Sequence, residues 1–148
     1  MSSSGRPGAV FLGGACGATN WRKEIATPLL DQAGVSYDHP QVGVGEWTEL
    51  HEMADQHAKT AAEVPLFVIN EATRGVASVA EVAYVIASGR PLALCLRMLP
   101  GDAPEIQDLN RGRIFCAAWL SNMAYRSLLT KPRPRGTPSL WCKGVSVR

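Results

Sequence analysis

A chain of 148 residues, 46% hydrophobic and 19% charged, has the size and apolar content of one folded domain, which excludes global disorder. Its net charge of +2 is uneven: residues 126–148 carry six basic side chains and no acid, and residues 1–125 set nine basic against thirteen acidic, a net −4. A weakly acidic globule is not a nucleic-acid binder, no run nears the roughly 20 apolar residues that span a bilayer, and four scattered cysteines without a CxxC pair argue against zinc or disulfide scaffolds.

In chain order, residues 1–8 lack an apolar h-region and read as a flexible leader. Residues 9–12 are a short apolar run closed by Gly13 and Gly14, as expected of a buried strand. Asn20 can cap a helix over 20–33, which Pro28 would kink or restart and Gly34 would end. A second strand is expected at 35–37, a loop over 39–48, and a polar helix over 49–63. Residues 64–69 are the strongest strand, with Pro65 confined to a position that needs no donor. A loop then leads to a helix at 79–88, a strand at 91–96 and a last amphipathic helix at 107–125. The alternation predicts an α/β domain over residues 9–125, with a parallel sheet of four to five strands flanked by helices. The basic, proline-bearing residues 126–148 are expected to be a disordered tail. Cysteine usage points to a reduced setting, cytoplasmic with a nuclear one open.

In such sheets ligands collect beyond the carboxyl ends of the strands, where strand order reverses. For a flavodoxin-like order that is between the first and third strands, at the loops 13–19 and 70–78. Gly13-Gly14-Ala15-Cys16-Gly17 suits close approach of a ligand to backbone, or simply a tight strand-to-helix turn; it is neither GxGxxG nor a phosphate loop. Ser78-Val79-Ala80-Glu81 fits an S-x-x-E capping box, in which Glu81 serves the helix; alternatively Glu81 points into the cleft as nucleophile or base. His51, Glu52, Asp55 and His57 do not form HExxH and suit a solvated helix face better than a metal site. Cys16 lacks a histidine neighbour for nucleophilic work, and Trp47 and Trp119 suit packing. Arg111 and Arg113 could hold a carboxylate or phosphate, or form surface ion pairs.

Together these segments resemble a known family. Glu81-Val82-Ala83-Tyr84-Val85-Ile86-Ala87-Ser88-Gly89-Arg90-Pro91 is similar to the E-x-G-Y-A-x-A-x-G-K-P segment of nucleoside 2-deoxyribosyltransferases. Phe11-Leu12-Gly13-Gly14 looks like the opening strand and turn, and Trp21-Arg22, Arg74-Gly75 and residues 108–113 look like the more divergent nucleoside 2-deoxyribosyltransferase-like branch. The likeness spans about residues 9–124. It implies a flavodoxin-like fold and a glutamate, Glu81, that attacks C1′ of a deoxyribosyl group, as in retaining glycoside hydrolysis. It further implies that Phe11, Gly13, Gly14, Asn70 and Tyr84 frame sugar and base, with Arg74 and Ser78 also substrate-facing. Asn110 or Asn122 would reach a neighbouring subunit's sugar in a homo-oligomer. The implied partner is a small nucleoside or nucleotide, with no metal and no cofactor.

The departures from the family pattern fall on acids. The aspartate expected six residues before the glutamate is Gly75, the following Gly-Thr is Ala77-Ser78, and the acid expected after the third strand is Asn70. A departing base needs a proton, worth about a hundredfold or more in rate, and Glu71 or Asp38 would have to supply it. The resemblance therefore implies either an enzyme cleaving or exchanging an N-glycosidic bond, or a weak or inactive nucleotide-binding or regulatory domain. A phosphate-directed hydrolase using Arg74, Arg111 or Arg113 is a third possibility. Residues 126–138 offer prolines where a fifth strand is expected, so that edge strand could be missing.

Overall fold

The structure, a computed structural model, describes residues 8–15, 19–40 and 48–130, the last eight by their backbone alone. Four strands, β1 (Val10–Gly14), β2 (Tyr37–Asp38), β3 (Val64–Ile69) and β4 (Ala93–Leu96), form one parallel sheet in the order β2-β1-β3-β4. Helices α1 (Thr27–Ala33), α2 (Glu49–Ala61), α3 (Val76–Ala87) and α4 (Pro104–Thr130) alternate with them. This is the flavodoxin-like arrangement expected. The β1–β2 and β2–β3 connections run in opposite directions across the sheet, so right-handed crossovers put α1 and α2 on opposite faces. One face carries the core: Phe11, Phe67 and Ile69 pack against Ala62 of the α2 end, Val82, Val85 and Ile86 of α3, and Cys116 of α4.

β3 runs over the expected residues because its side chains alternate strictly, with Pro65, Phe67 and Ile69 buried and Val64, Leu66 and Val68 half-buried. Pro28 does restart its helix. A π-turn over Arg22–Ala26, closed by the Thr27 N–H on the Arg22 carbonyl, precedes α1 and brings Pro28 into its first turn. There the missing N–H costs least.

Helix α3 begins earlier than expected. Gly75 takes a left-handed conformation (φ 61°) as the N-cap, and its carbonyl accepts the Val79 N–H at 2.9 Å. Ser78 therefore sits inside the first turn, and the capping-box reading of Ser78 and Glu81 falls. Helix α4 runs to Thr130, past the expected end at 125. Among the described residues no strand follows β4; residues 126–130, expected to begin a disordered tail, instead continue α4. Residues 1–7 of the leader, Cys16, Trp47 and residues 131–148, with the rest of the expected tail and any fifth strand, lie outside the described residues.

The two glycines that close β1 are spent on packing. A Cβ on Gly13 would stand 2.6 Å from the Phe67 ring, and one on Gly14 (φ 116°) would stand 2.2 Å from the Val68 carbonyl oxygen. Gly14→Ala is expected to cost at least about 2 kcal/mol, because backbone strain and a clash with an immovable carbonyl add. A lowered urea midpoint at unchanged m-value would register this.

Candidate active site

The sheet reverses order between β1 and β3, and each of their following loops is riveted by a buried arginine. Arg22 donates from Nε to the Leu12 carbonyl (2.8 Å), from Nη1 to Ala15 (3.0 Å) and from Nη2 to Gly14 (2.9 Å), while Trp21 stacks on its guanidinium. Arg113 reaches from α4 to the other loop. Its Nη1 donates to the carbonyls of Asn70 (2.9 Å) and Arg97, and its Nη2 to those of Thr73 (2.7 Å) and Arg74 (3.1 Å). Burial lowers this guanidinium's pKa, with Glu71 opposing, yet an arginine keeps its proton under all ordinary conditions.

A charged cluster on the core-bearing face of the sheet spans two helices. The inward face of α2 carries His51, Asp55, Ala58 and Lys59 at helical spacing, while Leu50 and Met53 face outward at 77% and 65% exposure. The Lys59 side chain is 5% exposed, and its Nζ donates to Glu81 Oε1 on α3, 5.5 Å from the centroid of the Phe11 ring. Glu81 keeps 31% of its side chain exposed. A second stitch runs below: Arg90 donates to the Lys59 carbonyl (3.0 Å) and the Ala62 carbonyl (2.7 Å), satisfying the end of α2. Asp55, one turn before Lys59, is half-buried. Burial pushes its carboxyl above the usual range; Glu52 and Glu81 add to this, and Lys59 and His51 oppose it.

The other residues singled out in the sequence scatter around this cluster. Phe11 is buried beneath the Lys59 ammonium, and Gly13 beneath Phe67. Ser78 is buried, whereas Tyr84 is exposed one turn after Glu81. Asn70 turns inward on its own loop, its Oδ1 accepting the Ala72 N–H at 3.1 Å. Arg74 is exposed, and Asn110 clamps Leu99, accepting its N–H (2.8 Å) and donating to its carbonyl (2.9 Å). Arg111 pairs with Asp108 at the surface, 3.5 Å apart. Of the two substitute acids, Asp38 accepts the Gly8 N–H (2.7 Å) and Glu71 pairs with Arg97 (3.5 Å). Neither has an interaction with Glu81 among the described residues.

A family model described as Nucleoside 2-deoxyribosyltransferase like matches residues 7–99, well over half of the chain. The chain belongs to this family. The match takes in every strand together with Asp55, Lys59 and Glu81, and stops short of α4 with its Arg113 and Asn110. No curated protein and no solved structure matches the chain. Within the described residues no helix is long and apolar enough to cross a membrane, and no group of three or more His, Cys, Asp or Glu could hold a metal.

For a member of the nucleoside 2-deoxyribosyltransferase-like family, the side chain that the sequence concealed is Lys59. Charges on a polar helix are expected to face water, so Asp55 reads as part of a solvated face and Lys59 is not singled out at all. The available signal was the small pair Ala58 and Ala62, which marks the face of α2 that can approach the sheet.

Proposed function

We propose that this protein cleaves or exchanges the N-glycosidic bond of a 2′-deoxynucleoside or its nucleotide, with Glu81 as nucleophile. The observation that carries the reading is the partly exposed Glu81 carboxylate, fixed at one oxygen by a buried ammonium on the segment that the family shares. With Oε1 bonded to Lys59, Oε2 is the atom that would attack C1′. The C1′–N bond breaks, the base leaves with a proton, and water or a second base then displaces the carboxylate from C1′. The exposed Tyr84 and Arg74 would face substrate. The reading needs no metal or cofactor, and it expects a homo-oligomer.

The test is to incubate the full chain with deoxynucleosides and their 5′-monophosphates, with and without an acceptor base, and to follow free base by chromatography. Wild type is expected to release base, and Glu81→Gln none above background. Glutamine keeps an oxygen for Lys59, so the variant removes the nucleophile without orphaning the cation. Unchanged release by Glu81→Gln would remove Glu81 from the mechanism.

A second reading is a nucleotide-binding or regulatory domain without turnover. It is favoured by Gly75, which holds the place of a family acid with a φ of 61° and has Ile69 3.1 Å from where a Cβ would stand. Saturable nucleotide binding without base release would select it. Arg113, committed to four carbonyls, weakens a phosphate-directed alternative, which would rest on Arg74 and Arg111. A marked preference for monophosphates would restore that alternative.

A further inference from the structure

We propose that Asp55 is the acid that protonates the departing base and the base that activates the incoming acceptor. The inference rests on the glycosyl-transfer reading above and supplies the proton donor which that reading lacks. A nucleobase leaves poorly as an anion, and the two positions at which the resemblance would place acids hold Gly75 and Asn70. Asp38 and Glu71 are engaged elsewhere.

Asp55 is placed for the task by the helix it stands on. In a parallel sheet, α2 runs antiparallel to the strands, from their carboxyl ends downward. Asp55 precedes Lys59 by one turn, so it lies on the mouth side of the Lys59–Glu81 pair, about 6 Å from Lys59 between Cβ atoms. Both carboxyls, one from α2 and one from α3, thus interact electrostatically with a single buried ammonium. Only Glu81 has it as a bonded partner among the described residues.

The charged groups acting on Asp55 are Lys59, Glu52 and His51 on its own helix and Glu81 on α3. Burial outweighs the two cationic influences, so Asp55 holds its proton to higher pH than an ordinary aspartate. A carboxyl that keeps its proton to higher pH is the kind of group that acid catalysis requires beside a nucleophile.

The steps balance without a further reactant. In the first, the Glu81 oxygen bonds to C1′ as the C1′–N bond breaks, and the base nitrogen takes the Asp55 proton. In the second, the Asp55 carboxylate takes a proton from water or from the acceptor's N–H. That oxygen or nitrogen bonds to C1′, and the glycosyl ester to Glu81 breaks.

The experiment compares wild type, Asp55→Asn and Glu81→Gln, each as the full chain, on two substrates of the same sugar. One is the deoxynucleoside that wild type cleaves; the other is the 4-nitrophenyl glycoside, whose phenolate departs without a proton. Asp55→Asn is expected to lose a hundredfold or more on the nucleoside. It should still give a burst of about one nitrophenolate per chain at a rate within a few-fold of wild type. Azide, an acceptor that needs no base, should then restore its turnover. The alkaline fall in wild-type kcat/KM, where Asp55 ionises, should be missing from Asp55→Asn.

Thermal unfolding checks that the variant folds. Because the native state holds the Asp55 proton more tightly than the unfolded chain, wild-type stability falls as pH rises through that ionisation. Asparagine escapes the fall, so Asp55→Asn is expected to be at least as stable as wild type at pH 7. Equal losses on both substrates, or no loss on either, would overturn the role of Asp55 while leaving Glu81 untouched. A wild type inert toward both substrates would overturn the glycosyl-transfer reading itself, and this inference with it.

Discussion

Replacing Arg113 with methionine is expected to cost about 3–5 kcal/mol of unfolding free energy, the scale of breaking a buried charged network. Methionine fills much of the volume but donates nothing, so the carbonyls of Asn70, Thr73, Arg74 and Arg97 all lose a charged donor. Each unsatisfied carbonyl costs about 1–3 kcal/mol if it stays buried, and the loop can recover part of that only by opening to water. Against a total stability of about 5–15 kcal/mol for a domain, the loss removes a large share. Arg113→Lys should recover only part of it, because one ammonium with three donors cannot span four carbonyls from two chain segments. Urea unfolding measures the cost, and amide exchange localises it. Protection should fall first at residues 70–75 and at the end of β4. A loss under about 1 kcal/mol would mean that the loop holds its shape without the rivet.

The same residue shows where sequence reasoning stops. An arginine on an amphipathic helix, beside Arg111, reads as a surface cation suited to an anion, and nothing in the local pattern says that four carbonyls from distant segments converge on it. Arg22 hides in the same way behind the turn after β1. The third strand was legible because its information is local: residues 64–69 are one continuous apolar run, and the parallel order follows from alternating strands and helices. Pro28 was legible as a restart because its missing N–H is a property of the residue alone. The start of α3 was not, since an S-x-x-E box outranks a left-handed glycine in any local reading, yet Gly75 begins the helix. Glu81 was legible as a candidate, but not its partner, because the Lys59 contact joins residues 22 positions apart. Pairings across helices come from tertiary packing.

That pairing leads to the second large effect. Glu81→Ala is expected to destabilise by about 3–5 kcal/mol, because it strands an ammonium on a side chain only 5% exposed, with the Phe11 face in place of a carboxylate. Lys59→Met should cost less, about 1–2 kcal/mol, since a carboxylate that is 31% exposed can turn toward water. The double variant Lys59→Met/Glu81→Ala should then be more stable than Glu81→Ala alone, with a coupling of about 2 kcal/mol or more in the four-protein cycle. Urea unfolding of all four proteins gives the number. Repeating the cycle in 1 M salt separates this pair from Arg111–Asp108, whose exposed charges should lose what little coupling they have. Additivity of the two single variants within about 0.5 kcal/mol would show that Lys59 does not hold Glu81, and the argument that one carboxylate oxygen is fixed while the other attacks would lose its support. A large coupling has a practical consequence for any activity assay. Alanine at position 81 would confound lost chemistry with lost structure, whereas glutamine separates them, because it leaves the ammonium an oxygen and takes away only the charge that attacks.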